Sequence, residues 1–163
     1  MKKKRVQVKG CFRKNMVVLL GVMMVFCVAG AVQAAQKRER FQEVEGSSGS
    51  IVRDNNTGLE WQRCPHGQSW TGSGCSGTPW QGKWDDAVRI KAPGGFRVPS
   101  IDELKTLAPY DESIFPGGAL FWSSSPDAGR SDGAVWHLHF GYGVVASGSK
   151  GYYGQLRLVR AGQ

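Results

Sequence analysis

Residues 1–34 decide how much of this chain is available to fold. Seven bases (Lys2, Lys3, Lys4, Arg5, Lys9, Arg13 and Lys14) lead into an apolar run from Met16 to Val32, and no acid stands among them. Val32-Gln33-Ala34 then supplies permitted residues for the −3 and −1 positions of a cleavage site. A basic front, an apolar middle and such a site are the ordered parts of a secretory signal. The apolar run has 17 residues, close to the lower bound for crossing a bilayer, so a retained anchor is the alternative to removal. Cys27 follows Phe26 where lipid attachment would need a small residue. The expected product is therefore exported to the periplasm or cell surface, with no stable membrane insertion after cleavage.

Export changes the meaning of the charge. The whole chain has 21 Lys+Arg, 13 Asp+Glu and a formal charge of +8. Beyond residue 34 there are 14 bases against 13 acids, a net charge of +1. A strongly basic domain would point to nucleic acid; this one does not, and no nucleic-acid partner is expected. Cys11 and Cys27 leave with the signal, so Cys64 and Cys75 remain as a pair in an oxidising compartment. A disulfide is the expected outcome. Closing so short a loop is worth about 3 kcal/mol in the chain-entropy model.

About 129 residues remain, one domain by size. The reading divides the chain into a signal peptide (1–34), a flexible N-terminal segment (35–50) and a folded domain (51–163). Ile51–Gln62 predicts a hairpin about the Asp54–Gly58 turn. Residues 63–80 predict a loop tied down by the disulfide. Lys83–Lys91 places Trp84, Ala87, Val88 and Lys91 on one helical face, and Pro93-Gly94-Gly95 ends it. Ser100 and Glu103 have the spacing of a capping box ahead of a second helix carrying Leu104, Leu107 and Ala108. Ala119–Ser124 predicts a strand. Ala134–Phe140 predicts another, with Ala134, Trp136, Leu138 and Phe140 inward and Val135, His137 and His139 outward. Val144–Ala146 and Gln155–Arg160 follow, the last with Leu156 and Leu158 inward and Arg157 outward. Two short helices early and an antiparallel sheet late make an α+β domain.

Several of these stretches resemble one family in order. Asp54–Gln62 resembles its opening D-x-x-T-G-L-x-W signature, Trp84–Ala87 its first-helix motif, and Phe96–Leu104 its W-R-L-P-T-x-x-E-L motif. Phe115-Pro116, Phe121–Ser125 and Leu156–Arg160 resemble the remainder. On these residues, from about Ser50 to Arg160, the chain is similar to the Lcl C-terminal domain family, named for the last domain of a collagen-like bacterial adhesin. The resemblance implies a C-type-lectin-like fold, two short helices packed on antiparallel sheet, related to that of the formylglycine-generating enzymes. It also implies a surface or envelope setting and, from the adhesin, binding of sulfated glycans. Three departures matter. Family cysteines late in the first helix and in the closing strand are replaced by Ile90 or Lys91 and by Leu158. No collagen stalk and no cysteine after Cys75 are present, so neither trimerisation nor formylglycine chemistry carries over.

Candidate chemistry is sparse. His137 and His139 lie at i and i+2, with His66 or Asp132 as a third group, but solvated strand histidines are the commoner case and no metal is expected. Asp54–Gly58 lacks the later Glu of an EF-hand loop. Ser123, Ser124 and Ser125 stand near two histidines without a G-x-S-x-G elbow. No catalytic residue, no cofactor and no enzymatic activity are expected. Arg97 is placed to pair with Glu103 or Asp102. The loops at 66–80, 126–133 and 141–154 offer Trp70, Trp80, Arg130, Tyr142, Lys150, Tyr152 and Tyr153. Aromatic faces stack on sugars and bases meet sulfate or carboxylate, so these seven form the expected ligand-binding set. A glycan or other anionic polymer is the expected ligand. An envelope protein partner is the alternative.

Overall fold

A computed structural model describes residues 40–162; the expected signal segment lies outside them. Fifteen short elements follow in order: β1 (Phe41–Glu43), β2 (Ile51–Asp54), β3 (Leu59–Gln62), β4 (Ser69–Trp70), β5 (Cys75–Ser76), β6 (Gln81–Gly82), α1 (Trp84–Ala87), β7 (Lys91–Ala92), β8 (Phe96–Arg97), α2 (Ile101–Thr106), β9 (Leu120–Pro126), β10 (Val135–His139), β11 (Val144–Gly148), β12 (Gly154–Gln155) and β13 (Val159–Ala161). One sheet has the order β1-β2-β3-β13-β8-β7, a second β11-β10-β9-β12-β6, and β4-β5 form a small hairpin. Pairing is antiparallel except where β12 meets β9 at Gln155 and Phe121. The fold is α+β, with two short helices and antiparallel sheets, as expected.

The local signals held where the chain itself supplied the partner. β2 and β3 pair in register from Ile51–Gln62 to Asp54–Leu59. Ser100 Oγ accepts from the Glu103 N–H at 3.1 Å. The Glu103 carboxylate in turn accepts from the Ser100 N–H at 2.7 Å, completing the capping box of α2. Arg97 closes on the same carboxylate at 2.6 and 2.8 Å, and it is the main cause holding the Glu103 carboxyl below its ordinary range. The expected pair is therefore present. The first helix is shorter than expected: it stops at Ala87, and Lys91 has moved into β7 as an exposed strand residue.

Part of the lead-in expected to be flexible over 35–50 is seen as a strand. Phe41–Glu43 pairs with Val52–Asp54 as β1, and Phe41 meets the Phe115 ring edge-on at 5.2 Å. Arg40 holds the fully buried Asp54 carboxylate with two bonds of 3.0 Å. Burial of this aromatic and pairing of this acid fix residues that composition alone reads as a linker.

Two core clusters lie on opposite faces of the second sheet. Trp61, Leu104, Leu107, Phe115, Phe121 and Leu138 form part of the first. Phe96, Val98, Trp122, Val135, Leu156 and Leu158 form most of the second. Phe121 and Trp122 are sequence neighbours in different clusters, as alternation along a doubly covered strand requires. This overturns the one-sided reading of β10. Val135 is fully buried and His137 nearly so, while Trp136 is only half-buried. Trp84 is likewise half-buried, whereas Trp61 and Trp122 are core. Leu158 and Ile90 belong to or pack on the second cluster, so apolar contact occupies the places that the resemblance assigns to cysteines in the family.

The closing strand is also corrected. It is split, with β12 in one sheet and β13 in the other. The three residues between them pass through the interior, and all are fully buried. Arg157, expected outward, is therefore enclosed. It donates to the carbonyls of Gln62 at 3.2 Å and Pro116 at 2.7 Å, and also to that of Arg63. The Phe115, Phe121 and Phe140 rings stand 5.0–5.3 Å from its guanidinium.

Candidate functional site

The disulfide forms as expected between Cys64 and Cys75, with Cα atoms 5.7 Å apart. It anchors the β4-β5 hairpin, in which Trp70 pairs with Cys75. The Trp70 ring carries the Arg63 guanidinium at 4.4 Å, and Arg63 is itself paired to Glu43 at 2.9 Å. Beside Trp70 is a cavity of about 520 Å³, also lined by Ser47, Ser48 and Ser50 from the β1-β2 turn, by Gln62, and by Pro93 and Phe96. The turn sequence Gly46–Ser50 falls in the segment expected to be flexible (35–50). Its serines were missed as site residues because their partner, Trp70, lies some twenty positions further along.

The seven expected ligand-binding residues do not share one surface. Val135 pairs with both Pro126 and Gly148, so the β9-β10 loop and the β11-β12 loop emerge at the same end of the second sheet. Arg130, Lys150, Tyr152 and Tyr153 are carried there. Tyr152 and Tyr153 are 55 % and 62 % exposed. Arg130 donates to Asp132 at 3.1 Å through Nε and also through Nη2. That hydrogen bonding, with the Asp132 charge and a smaller contribution from Asp127, keeps its pKa above the ordinary value. Lys150 Nζ lies 4.6 Å from the Trp84 ring centre, and the Trp84 indole donates to the Ser123 carbonyl at 2.7 Å. The loop end therefore carries two exposed tyrosines, an arginine paired to Asp132 and an ammonium over the Trp84 ring.

The other three lie elsewhere. Tyr142 sits at the opposite end of β10 and β11, stacked on His139 with ring centres 4.3 Å apart. Trp80 is half-buried against the second core cluster. Trp70 belongs to the cavity just described.

The groups that suggested other chemistry have structural partners. Ser123 Oγ donates to the Trp136 carbonyl at 2.7 Å, Ser124 Oγ donates to that of Pro99 at 3.2 Å, and Ser125 Oγ accepts from the Ile101 N–H at 3.0 Å. No group of three or more His, Cys, Asp or Glu side chains among the described residues could hold a metal ion. No helix among them is long and apolar enough to cross a membrane.

His137 lies beneath the loop end. Its ring meets Trp122 edge-on at 5.7 Å, and its buried Nδ1 has no hydrogen-bond partner. Burial is the main cause that lowers its pKa below 6.5, with the neighbouring His139 acting in the same direction. His66 is lowered by burial as well. The unfolded chain thus binds these protons more readily than the native one. Stability should be full above pH 6.5 and fall as pH drops from 6.5 through the lower native values. Urea midpoints measured between pH 7.5 and 5 test this. His137→Asn should flatten the dependence, and an unchanged slope would refute the assignment.

A family model described as the Lcl C-terminal domain matches residues 50–160. No curated protein and no solved structure matches the chain.

Proposed function

Because this chain belongs to the Lcl C-terminal domain family, we propose that it acts as an exported, non-enzymatic binding module of the bacterial envelope that recognises a glycan or another anionic surface polymer. The fold in this reading is C-type-lectin-like, supported by family membership and by two short helices set among antiparallel sheets. The supporting observation for function is the pair of exposed tyrosines, Tyr152 and Tyr153, carried on the same sheet end as Arg130 and Lys150. Tyrosine faces take the apolar face of a sugar ring. The Arg130 fork still has Nη1 for a sulfate or carboxylate oxygen, since Asp132 occupies Nε and Nη2.

The test is a glycan array probed with the mature protein at low salt, with heparin as competitor. Binding to sulfated glycans is expected, weakening as salt screens the cations. The Tyr152→Ala/Tyr153→Ala double variant should lose about tenfold or more in affinity, since each aromatic contact contributes about 0.5–1.5 kcal/mol. Absence of binding above background overturns the glycan reading.

A second reading, an assembly subunit of an envelope complex, is favoured by the other end of the sheet. β11 is an edge strand; its first residue Val144 and the nearby Tyr142 are 52 % and 79 % exposed. A stoichiometric protein partner that co-purifies, and is lost with Val144→Lys, would favour this reading over the first.

A further inference from the structure

We propose that the cavity beside Trp70 is a second binding site, selective for an uncharged, polyhydroxylated ligand such as a neutral sugar unit. The cavity is separate from the tyrosine-bearing loop end, and its chemistry differs. No charged side chain is among the residues that line it. Its volume of about 520 Å³ falls within the ~300–1,000 Å³ of small-ligand sites.

The polar lining consists of hydroxyls and amides, some of whose donors are already committed. The Ser47 hydroxyl spends its proton on the Val44 carbonyl at 2.6 Å. The Ser50 hydroxyl spends its own on the Ser47 carbonyl at 2.7 Å. The Gln68 amide nitrogen is bound to the Gly77 carbonyl at 2.9 Å. The two serine hydroxyls then have only oxygen lone pairs left, one of Ser47's being met by the Ile51 N–H at 3.4 Å, whereas Gln68 keeps one N–H, and Ser48, Ser69 and Gln62 bring donors as well as acceptors. A ligand rich in hydroxyls, which both donate and accept, satisfies such a wall. A sulfate or carboxylate brings a charge that no cation of the lining compensates, and burying it there is unfavourable. Trp70 adds the flat apolar surface that the C–H face of a pyranose ring needs.

The site is also built before any ligand arrives. Trp70 is held next to the disulfide through its pairing with Cys75. Arg63 supports its ring, and that charge is matched by Glu43. In the opposing turn, Ser48 adopts a φ of 50°, a left-handed conformation uncommon for a residue other than glycine. Buried Gly49 follows with a φ of 76°, and a Cβ there would stand 3.0 Å from the Trp70 indole nitrogen. The turn is thus pressed against the indole at a position that only glycine fills without strain.

The experiment titrates ¹⁵N-labelled mature protein with cellotriose, chitotriose and mannotriose, and separately with a heparin tetrasaccharide, following the tryptophan indole N–H signals. At least one neutral trisaccharide should shift the Trp70 signal. Trp70→Ala should weaken that binding tenfold or more. Ser69→Trp, which fills the exposed rim without removing the Trp70 support, should do the same. The Tyr152→Ala/Tyr153→Ala variant should leave it unchanged, so this result stands or falls independently of the loop-end reading. The proposal is overturned if no neutral trisaccharide moves the Trp70 signal. It is equally overturned if the heparin fragment moves that signal as strongly, or if binding survives both cavity variants.

Discussion

Replacing Arg157 with alanine should destabilise the domain by about 3–5 kcal/mol, a range set by the loss of a buried, hydrogen-bonded charge. The expectation rests on what the guanidinium does in the interior. It is fully buried, and its acceptors are main-chain carbonyls of Gln62, Arg63 and Pro116, not an acid. Alanine would leave these carbonyls facing a hole. It would also remove the stem and planar head that fill the space among Phe115, Phe121 and Phe140. Burial pushes the Arg157 pKa down to about 9, which still leaves it charged at neutral pH. Replacement of a buried ion pair by apolar residues is often neutral, but here the acceptors belong to the backbone and cannot be replaced with it. Arg157→Lys should recover little, because a single ammonium cannot span three carbonyls on two segments, Gln62-Arg63 and Pro116. Urea unfolding gives the answer as a lower midpoint at unchanged slope. A loss under 1 kcal/mol for alanine would show that the carbonyls find other donors.

Trp122→Ala should cost a comparable 3–5 kcal/mol, the usual range for deleting a buried large aromatic. Trp122 is fully buried, and its indole donates to the Gly82 carbonyl at 2.9 Å. It also sits where a Cβ on Gly154 would come within 2.8 Å of its nitrogen. The ring thereby joins β9 to β6 and to the close approach of β12. Its loss should loosen the pairing of Gly154 with Gly82, directly after the loop that carries Tyr152 and Tyr153. Hydrogen exchange should therefore rise first in residues 149–155, with the β2-β3 hairpin retaining protection. Uniform loss of protection across both sheets would contradict this local role.

The parts of the fold legible from sequence are those in which the interacting groups are close along the chain. The turn at Asp54–Gly58, the capping box of Ser100 and Glu103, the Arg97 pair and the Cys64–Cys75 bridge all join residues separated by few positions. Spacing and side-chain chemistry specify such contacts before any long-range packing exists. The family signatures added order to these pieces, and the match over residues 50–160 agrees with them.

What remained illegible required knowing which faces were covered. Alternation along β10 distinguishes two faces but cannot say that both are buried, so Val135 and His137 read as solvated. Leu156–Arg157–Leu158 reads as an ordinary strand until the chain is seen to change sheets there, which brings both faces inside and converts an outward arginine into a central one. The site shows the same division. Trp70 was recognisable as an aromatic in a loop stapled by a disulfide, and Tyr152, Tyr153, Arg130 and Lys150 as an aromatic and basic set. Sequence by itself determined the local turns, the caps, the bridge and the near-neutral charge of the domain. Only the tertiary structure decided that Tyr142 is remote from the other tyrosines, that the Ser47–Ser50 turn faces Trp70, and that Arg157 is buried. Those facts depend on how two sheets pair and pack over distant segments, and no short-range pattern encodes that arrangement.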